Sequence, residues 1–183
     1  MRVLLLDIML LFSLMFTSIT SSSISLEGKS INITKSLPIE CNLIFNSKII
    51  LCYIVEFPFI WLSIIIFELC FKFSFIYFLE LIILSVLSIF ISSVVGLIIN
   101  LKYPKLDASN DTEVVKQSMS SMISLFIGFI IFILSTLLLT YFTKWIGINI
   151  LIYIHLLLFV ILSLILYFIL LKFGSLDYKK LSV

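Results

Sequence analysis

Long apolar runs separated by short polar stretches set the organisation of this chain. A membrane-crossing helix needs about 20 mostly apolar residues. Five stretches approach or exceed that length: residues 3–19, 49–71, 76–100, 119–142 and 148–171. The first is short and carries Asp7; the other four are unambiguous. The pattern predicts an all-α, polytopic helical membrane protein: a single transmembrane domain over residues 1–183 with about five transmembrane helices. Two longer connections, residues 20–48 and 101–118, join the spans, and the first holds a short cytosolic amphipathic helix.

Composition supports a bilayer rather than a large soluble core. The chain has 183 residues, of which 62% are hydrophobic and 12% charged, with mean hydropathy +1.32. A soluble domain is about half apolar and a quarter charged, so too few charges are present here to cover a water-facing surface. The net charge of +2 gives no reason to expect a nucleic-acid partner. Cys41, Cys52 and Cys70 lack metal or redox spacing and read as small apolar residues. Asn32-Ile33-Thr34 and Asn110-Asp111-Thr112 fit the glycosylation pattern, but the topology below puts both in the cytosol, where chance explains them.

Charge orients the spans, because Lys and Arg are retained on the cytoplasmic side. Five spans put three positive residues (Arg2, Lys72, Lys144) on one side and nine on the other: Lys29, Lys35, Lys48, Lys102, Lys105, Lys116, Lys172, Lys179 and Lys180. The expectation is a multi-pass cell-membrane protein with its N-terminus outside and its C-terminus in the cytosol. Reading residues 1–20 as a cleaved signal peptide would invert this bias. An outside N-terminus without a leader suits a fragment whose upstream helices are missing.

The cytosolic connections have local signals of their own. Pro38 fits the first position of a helix, where its missing N–H costs nothing. Glu40 then falls in the first turn, where the helix dipole favours an acid. Ile39 and Leu43 begin an amphipathic helix leading to Lys48, which can lie on the membrane surface or dock onto a partner. In the second connection, Tyr103-Pro104 ends the third span. Asn110 and Glu113 form a capping-box pair opening a helix expected to run straight into the fourth span, with Glu113 and Lys116 able to pair on its surface.

These connections also carry a resemblance. Ser25-Leu26-Glu27-Gly28-Lys29, then Lys35-Ser36-Leu37-Pro38-Ile39, then Ser47-Lys48-Ile49 resembles a pattern in permeases of the ABC-2 exporter type. There a Glu-Gly-Lys element precedes a Leu-Pro-Ile element that opens a cytosolic helix. Asn100-Leu101-Lys102-Tyr103-Pro104-Lys105-Leu106-Asp107 and Glu113-Val114-Val115-Lys116-Gln117-Ser118 are similar to a second stretch of that family. The resemblance covers residues 15–145 and departs in length, since such permeases are several hundred residues long with more spans. It implies a C-terminal portion of the membrane-spanning subunit, with no catalysis or cofactor of its own. ATP hydrolysis would lie on a separate ATP-binding subunit, and more permease helices or a second copy would complete the path. The resemblance implies that Glu27, Gly28, Lys29, Lys35, Leu37, Pro38 and Ile39 contact the ATP-binding subunit. The alternative reading is a non-transporting accessory membrane protein or an inactive permease remnant.

Ionisable groups deep in a bilayer are costly, so each is a functional candidate. Glu68 and Glu80 lie near the outer ends of their spans, within reach of the interface. Glu56 lies about two turns inside the second span, just before Pro58, which should loosen the helix; it is the candidate for a substrate path. His155 has no second ligand at helical spacing, so no metal is expected. The chain has no Gly-rich phosphate loop and no Ser/His/Asp set. The small residues from Ser92-Ser93 to Gly96 permit close helix packing.

Overall fold

The structure, a computed structural model, describes residues 2–15, 17, 19–36, 38–72, 74–106, 111–116 and 118–181. Every regular element among them is helical. Helix α1 (Arg2–Met15) is followed by 3-10 turns at Ile19–Ser21 and Ser25–Ser30 and by α2 (Ile31–Ser36). Then come α3 (Cys41–Phe71), α4 (Phe75–Lys102), α5 (Asp111–Lys116), α6 (Met119–Phe142) and α7 (Ile148–Ile169). A π-helical turn, Leu170–Gly174, leads into α8 (Ser175–Lys180). Five segments among the described residues are long and apolar enough to cross a membrane: Leu5–Gly28, Cys41–Phe71, Phe75–Lys102, Met119–Phe142 and Ile148–Lys180.

Helix α4 is the centre of the bundle. About two-thirds of its most apolar stretch is buried (67%), against 22% for each of the spans containing α3, α6 and α7. Helices α1, α3, α6 and α7 all pack on it. Its sequence explains the position: Ser85, Ser88, Ser92, Ser93 and Gly96 are small and lie within the buried surface. Small residues let neighbouring backbones approach closely, the main way helices associate in lipid. Around them, Ile24, Phe45, Val94, Leu97, Leu101 and Leu170 form one apolar cluster. Leu11, Met15, Leu84, Ile91, Val95 and Phe159 form another. The outward faces of α3, α6 and α7 are lined with exposed Ile, Leu and Phe, as lipid requires.

The first span is not one helix. Helix α1 stops at Met15, yet the chain stays buried through Thr20, Ser21, Ser22, Ile24 and Ser25. Non-helical backbone at membrane depth is tolerated only where protein satisfies its polar groups, and here α4 does so. Thr20 Oγ1 donates to the Ser93 carbonyl at 2.7 Å, and the amides of Ile24 and Ser25 donate to Asn100 Oδ1 at 2.8 and 3.1 Å. Gly96 makes room for this turn. A Cβ there would meet Thr20 Oγ1 and lie 2.9 Å from Ser21 N.

Three local expectations are corrected. First, no helix opens at Pro38: Pro38 and Ile39 lie outside any helix, Glu40 is extended, and one continuous helix begins at Cys41. Glu40 is its N-cap (φ −68°, ψ 139°), with the Leu43 amide donating to its carbonyl at 3.0 Å. Nothing between Cys41 and Phe57 breaks a helix, and α3 runs on past Pro58. At 1.5 Å per residue α3 is about 46 Å long, against a hydrocarbon core of about 30 Å, so an end projects. Second, α5 does not run straight into the fourth span. Ser118 interrupts it with extended backbone (φ −81°, ψ 142°) and caps α6 by accepting from the Ser121 amide at 3.2 Å. The expected cap at Asn110 and the Glu113–Lys116 side-chain pair lie outside the described residues. Third, Glu80 does not reach the interface: it is 3% exposed, on the face of α4 that packs inward.

Candidate functional site

The two longer connections and the C-terminal helix meet at one end of the bundle and form a folded cap. Asn100, fully buried in the last turn of α4, holds it together. Besides accepting from Ile24 N and Ser25 N, its Nδ2 donates to Ser25 Oγ at 2.7 Å and Ser120 Oγ at 3.1 Å. Lys105 N donates to the same Ser25 oxygen at 3.0 Å. One side chain thus joins the 3-10 turn, the end of α4 and the start of α6. Nothing around Asn100 in the sequence signals this role, because its partners Ile24 and Ser25 lie some 75 residues away along the chain.

The residues singled out for partner contact occupy this cap. Glu27 forms an ion pair with Lys48 of α3, whose ammonium also donates to the Ser23 carbonyl at 3.2 Å. Both side chains are about one-fifth exposed (19%), so a partner could reach them only at an edge. A double-mutant cycle with Glu27→Gln and Lys48→Met is expected to give about 1 kcal/mol of coupling, the upper end for partly exposed pairs, read from thermal unfolding in detergent. A coupling indistinguishable from zero would make the pair incidental.

Gly28 has φ +49° and ψ −129°, a conformation L side chains rarely adopt. It turns the chain beneath Leu106, whose carbonyl would lie 3.4 Å from a Cβ. Lys35 donates to the carbonyls of Lys179 and Leu181, and its ammonium stands 5.6 Å from the Tyr178 ring centre. It therefore ties the cap to α8. Pro38 and Ile39 are exposed, Ile39 by 45%, and Ile39 borders a groove of about 450 Å³ between the start of α3 and Leu171, Ser175 and Lys179. The side chain of Lys29, and Leu37 entirely, lie outside the described residues. Glu27, Gly28 and Lys35 are thus braces of the cap, while Pro38 and Ile39 face outward.

Glu56 lies away from the cap connections, in the wall of a cleft of about 340 Å³ between α1 and α3. Ser13, Thr17 and Ser63 share the lining. Cys52 Sγ donates to Glu56 Oε1 at 3.4 Å, while Oε2 is buried without a partner. The Thr17 hydroxyl also lies against this carboxylate but donates to the Leu14 carbonyl at 2.9 Å, and its single proton can serve one acceptor at a time. His155, fully enclosed between α6 and α7, has its Nε2 joined to Ser135 Oγ by a 2.6 Å hydrogen bond. Among the described residues, no group of three or more His, Cys, Asp or Glu could hold a metal.

A bundle of five apolar spans, with polar side chains turned inward and an ordered polar cap at one end, defines a multi-pass helical membrane protein. The chain belongs to a family described as membrane proteins of twelve transmembrane segments, whose model matches residues 2–172. No curated protein and no solved structure matches the chain.

Proposed function

We propose that this chain is a membrane-spanning permease component of an ATP-driven exporter of the ABC-2 type, coupled through its cap to a separate ATP-binding subunit. The cap is the observation that carries the reading. Helices that only cross a bilayer need short turns, whereas residues 20–48 fold into a braced element wired to the central helix through Asn100 and to α3 through Glu27 and Lys48. A push on such an element reaches α3 and α4 together, and packed elements of this kind switch between discrete arrangements. The exposed Pro38–Ile39 corner and the adjoining groove offer the surface on which the partner would press. The positive residues Lys48, Lys102, Lys105, Lys172 and Lys179 gather at the cap end, and the charge rule supports reading that end as the cytosolic one.

In this reading the chain hydrolyses nothing and holds no cofactor; the partner supplies ATP chemistry. The described residues hold five candidate spans and the family is described by twelve, so further helices or a second copy would complete the path. Glu56, in its cleft between α1 and α3, is the side chain assigned to that path.

Co-purification tests the reading. The tagged chain, solubilised gently from its own membranes, is expected to bring an ATP-binding subunit with it. Replacing Leu37-Pro38-Ile39 by Ser-Gly-Ser should abolish that association while the protein still elutes as a folded species. Absence of any ATPase with well-folded wild-type protein would favour a non-transporting accessory protein instead.

A further inference from the structure

Opposite the cap, the first turns of α4 and α7 border a cleft of about 480 Å³, large enough for a small organic ligand. Its walls include Ile76 and Ile83 of α4 and Ile152 and Leu156 of α7, and Tyr77 and Tyr153 add two aromatic rings. The Tyr77 hydroxyl donates to Asn149 Oδ1 at 2.8 Å, joining the two helices beside the cleft. Glu80 contributes to the wall. It is 3% exposed, and neither carboxylate oxygen has a hydrogen-bond partner.

Behind Glu80 lies Asp7 of α1, fully buried, with both of its oxygens also unpartnered. Their chain neighbours Leu6 and Leu81 pack together in one apolar cluster, which sets the two acids on facing stretches of α1 and α4. Among the described side chains, which do not include that of Arg2, no Lys or Arg pairs with either acid. Two uncompensated acids inside an apolar bundle are costly, and breaking the isolation of one with a positive charge relieves both. A bare metal ion would need several further oxygen ligands. Apolar walls and two aromatic rings suit instead a cation with a carbon body, since ring faces attract cations directly.

We propose that this cleft binds an organic ammonium ion, with Glu80 as its counter-charge and Tyr77 and Tyr153 flanking the cation. The ammonium can come from a free lipophilic amine or from the headgroup of a lipid such as phosphatidylethanolamine. Binding here needs no ATP-binding subunit and does not depend on the exporter reading.

The test is a fluorescence titration of the full chain in dodecyl maltoside with ethidium, a lipophilic aromatic cation. Wild-type protein is expected to bind it saturably. Glu80→Gln, which removes the charge at nearly constant shape, should weaken binding at least tenfold, and Leu156→Trp, which fills the cleft, should do the same. Competition by added phosphatidylethanolamine but not phosphatidylglycerol identifies the lipid headgroup as the source; competition by neither identifies a free amine. Binding left unchanged by Leu156→Trp, equally tight binding of uncharged phenanthridine, or equal competition by both lipids would overturn the proposal. The last three comparisons hold even if Glu80→Gln fails to fold.

Discussion

Asn100→Leu is expected to destabilise the bundle by about 4 kcal/mol, because it orphans two buried backbone amides at about 1–3 kcal/mol each and strips two hydroxyls of a donor. Leucine shares asparagine's branching but its bulkier methyl groups cannot lie 2.8 Å from an amide, so some overpacking adds to the loss of the hydrogen bonds. The amides concerned are those of Ile24 and Ser25, which Asn100 Oδ1 accepts at 2.8 and 3.1 Å. Hydrogen exchange at these two amides reads the effect directly: a loss of about 4 kcal/mol corresponds to roughly a thousandfold faster opening. Asn100→Asp keeps the acceptor but removes the donors to Ser25 and Ser120 and adds a buried charge, so it should also be destabilising. If Asn100→Leu left both amides as protected as in the wild type, the hub would be a bystander.

The second large effect is steric. Gly128 of α6 faces the last residue of α1, and a Cβ there would fall onto the Met15 carbonyl oxygen, with the Met15 carbonyl carbon at 3.1 Å. Backbone cannot swing aside as the tip of a side chain can. Gly128→Val is therefore expected to cost about 3 kcal/mol, the upper end for overpacking in a dense interior. Gly147, at the N-cap of α7, provides the control: nothing lies within 4 Å of its Cβ direction and its φ is −57°. Gly147→Ala should leave the unfolding temperature unchanged or raise it, since a compatible alanine restricts the unfolded chain. Thermal unfolding in detergent, followed by loss of the monodisperse peak, distinguishes the two. Similar midpoints for Gly128→Val and Gly147→Ala would show that α1 and α6 can separate without penalty.

The spans are legible in the sequence because the bilayer imposes a length on every apolar run, and the four from residue 41 onward are predominantly apolar with only isolated ionisable residues. The end of the third span is legible for a local reason, since Tyr103 precedes a proline. What escapes a sequence reading is what distant partners decide. No proline or glycine lies between Ser13 and Ile24, so nothing local says that α1 stops at Met15; the stop is possible because Asn100 accepts the freed amides of Ile24 and Ser25. Glu27 is legible as a cap residue, but its pairing with Lys48 is not, and that pairing makes it a brace rather than an exposed contact. Glu80 reads as an interfacial acid from its place near the start of α4. Its burial, and its company with Asp7, follow from which face of that helix turns inward.

The interrupted first span bears on the order in which the protein can be assembled. As the chain emerges, residues 19–30 are made long before Ser93 exists to receive the Thr20 hydroxyl and Asn100 the amides of Ile24 and Ser25. Until then this segment has no satisfactory resting place in lipid, where each unsatisfied backbone group costs several kcal/mol. It must wait near the headgroups or in the insertion machinery while α3 and α4 are threaded. The first part of the chain to be synthesised is thus among the last to be seated, and its seating closes the bundle around α4.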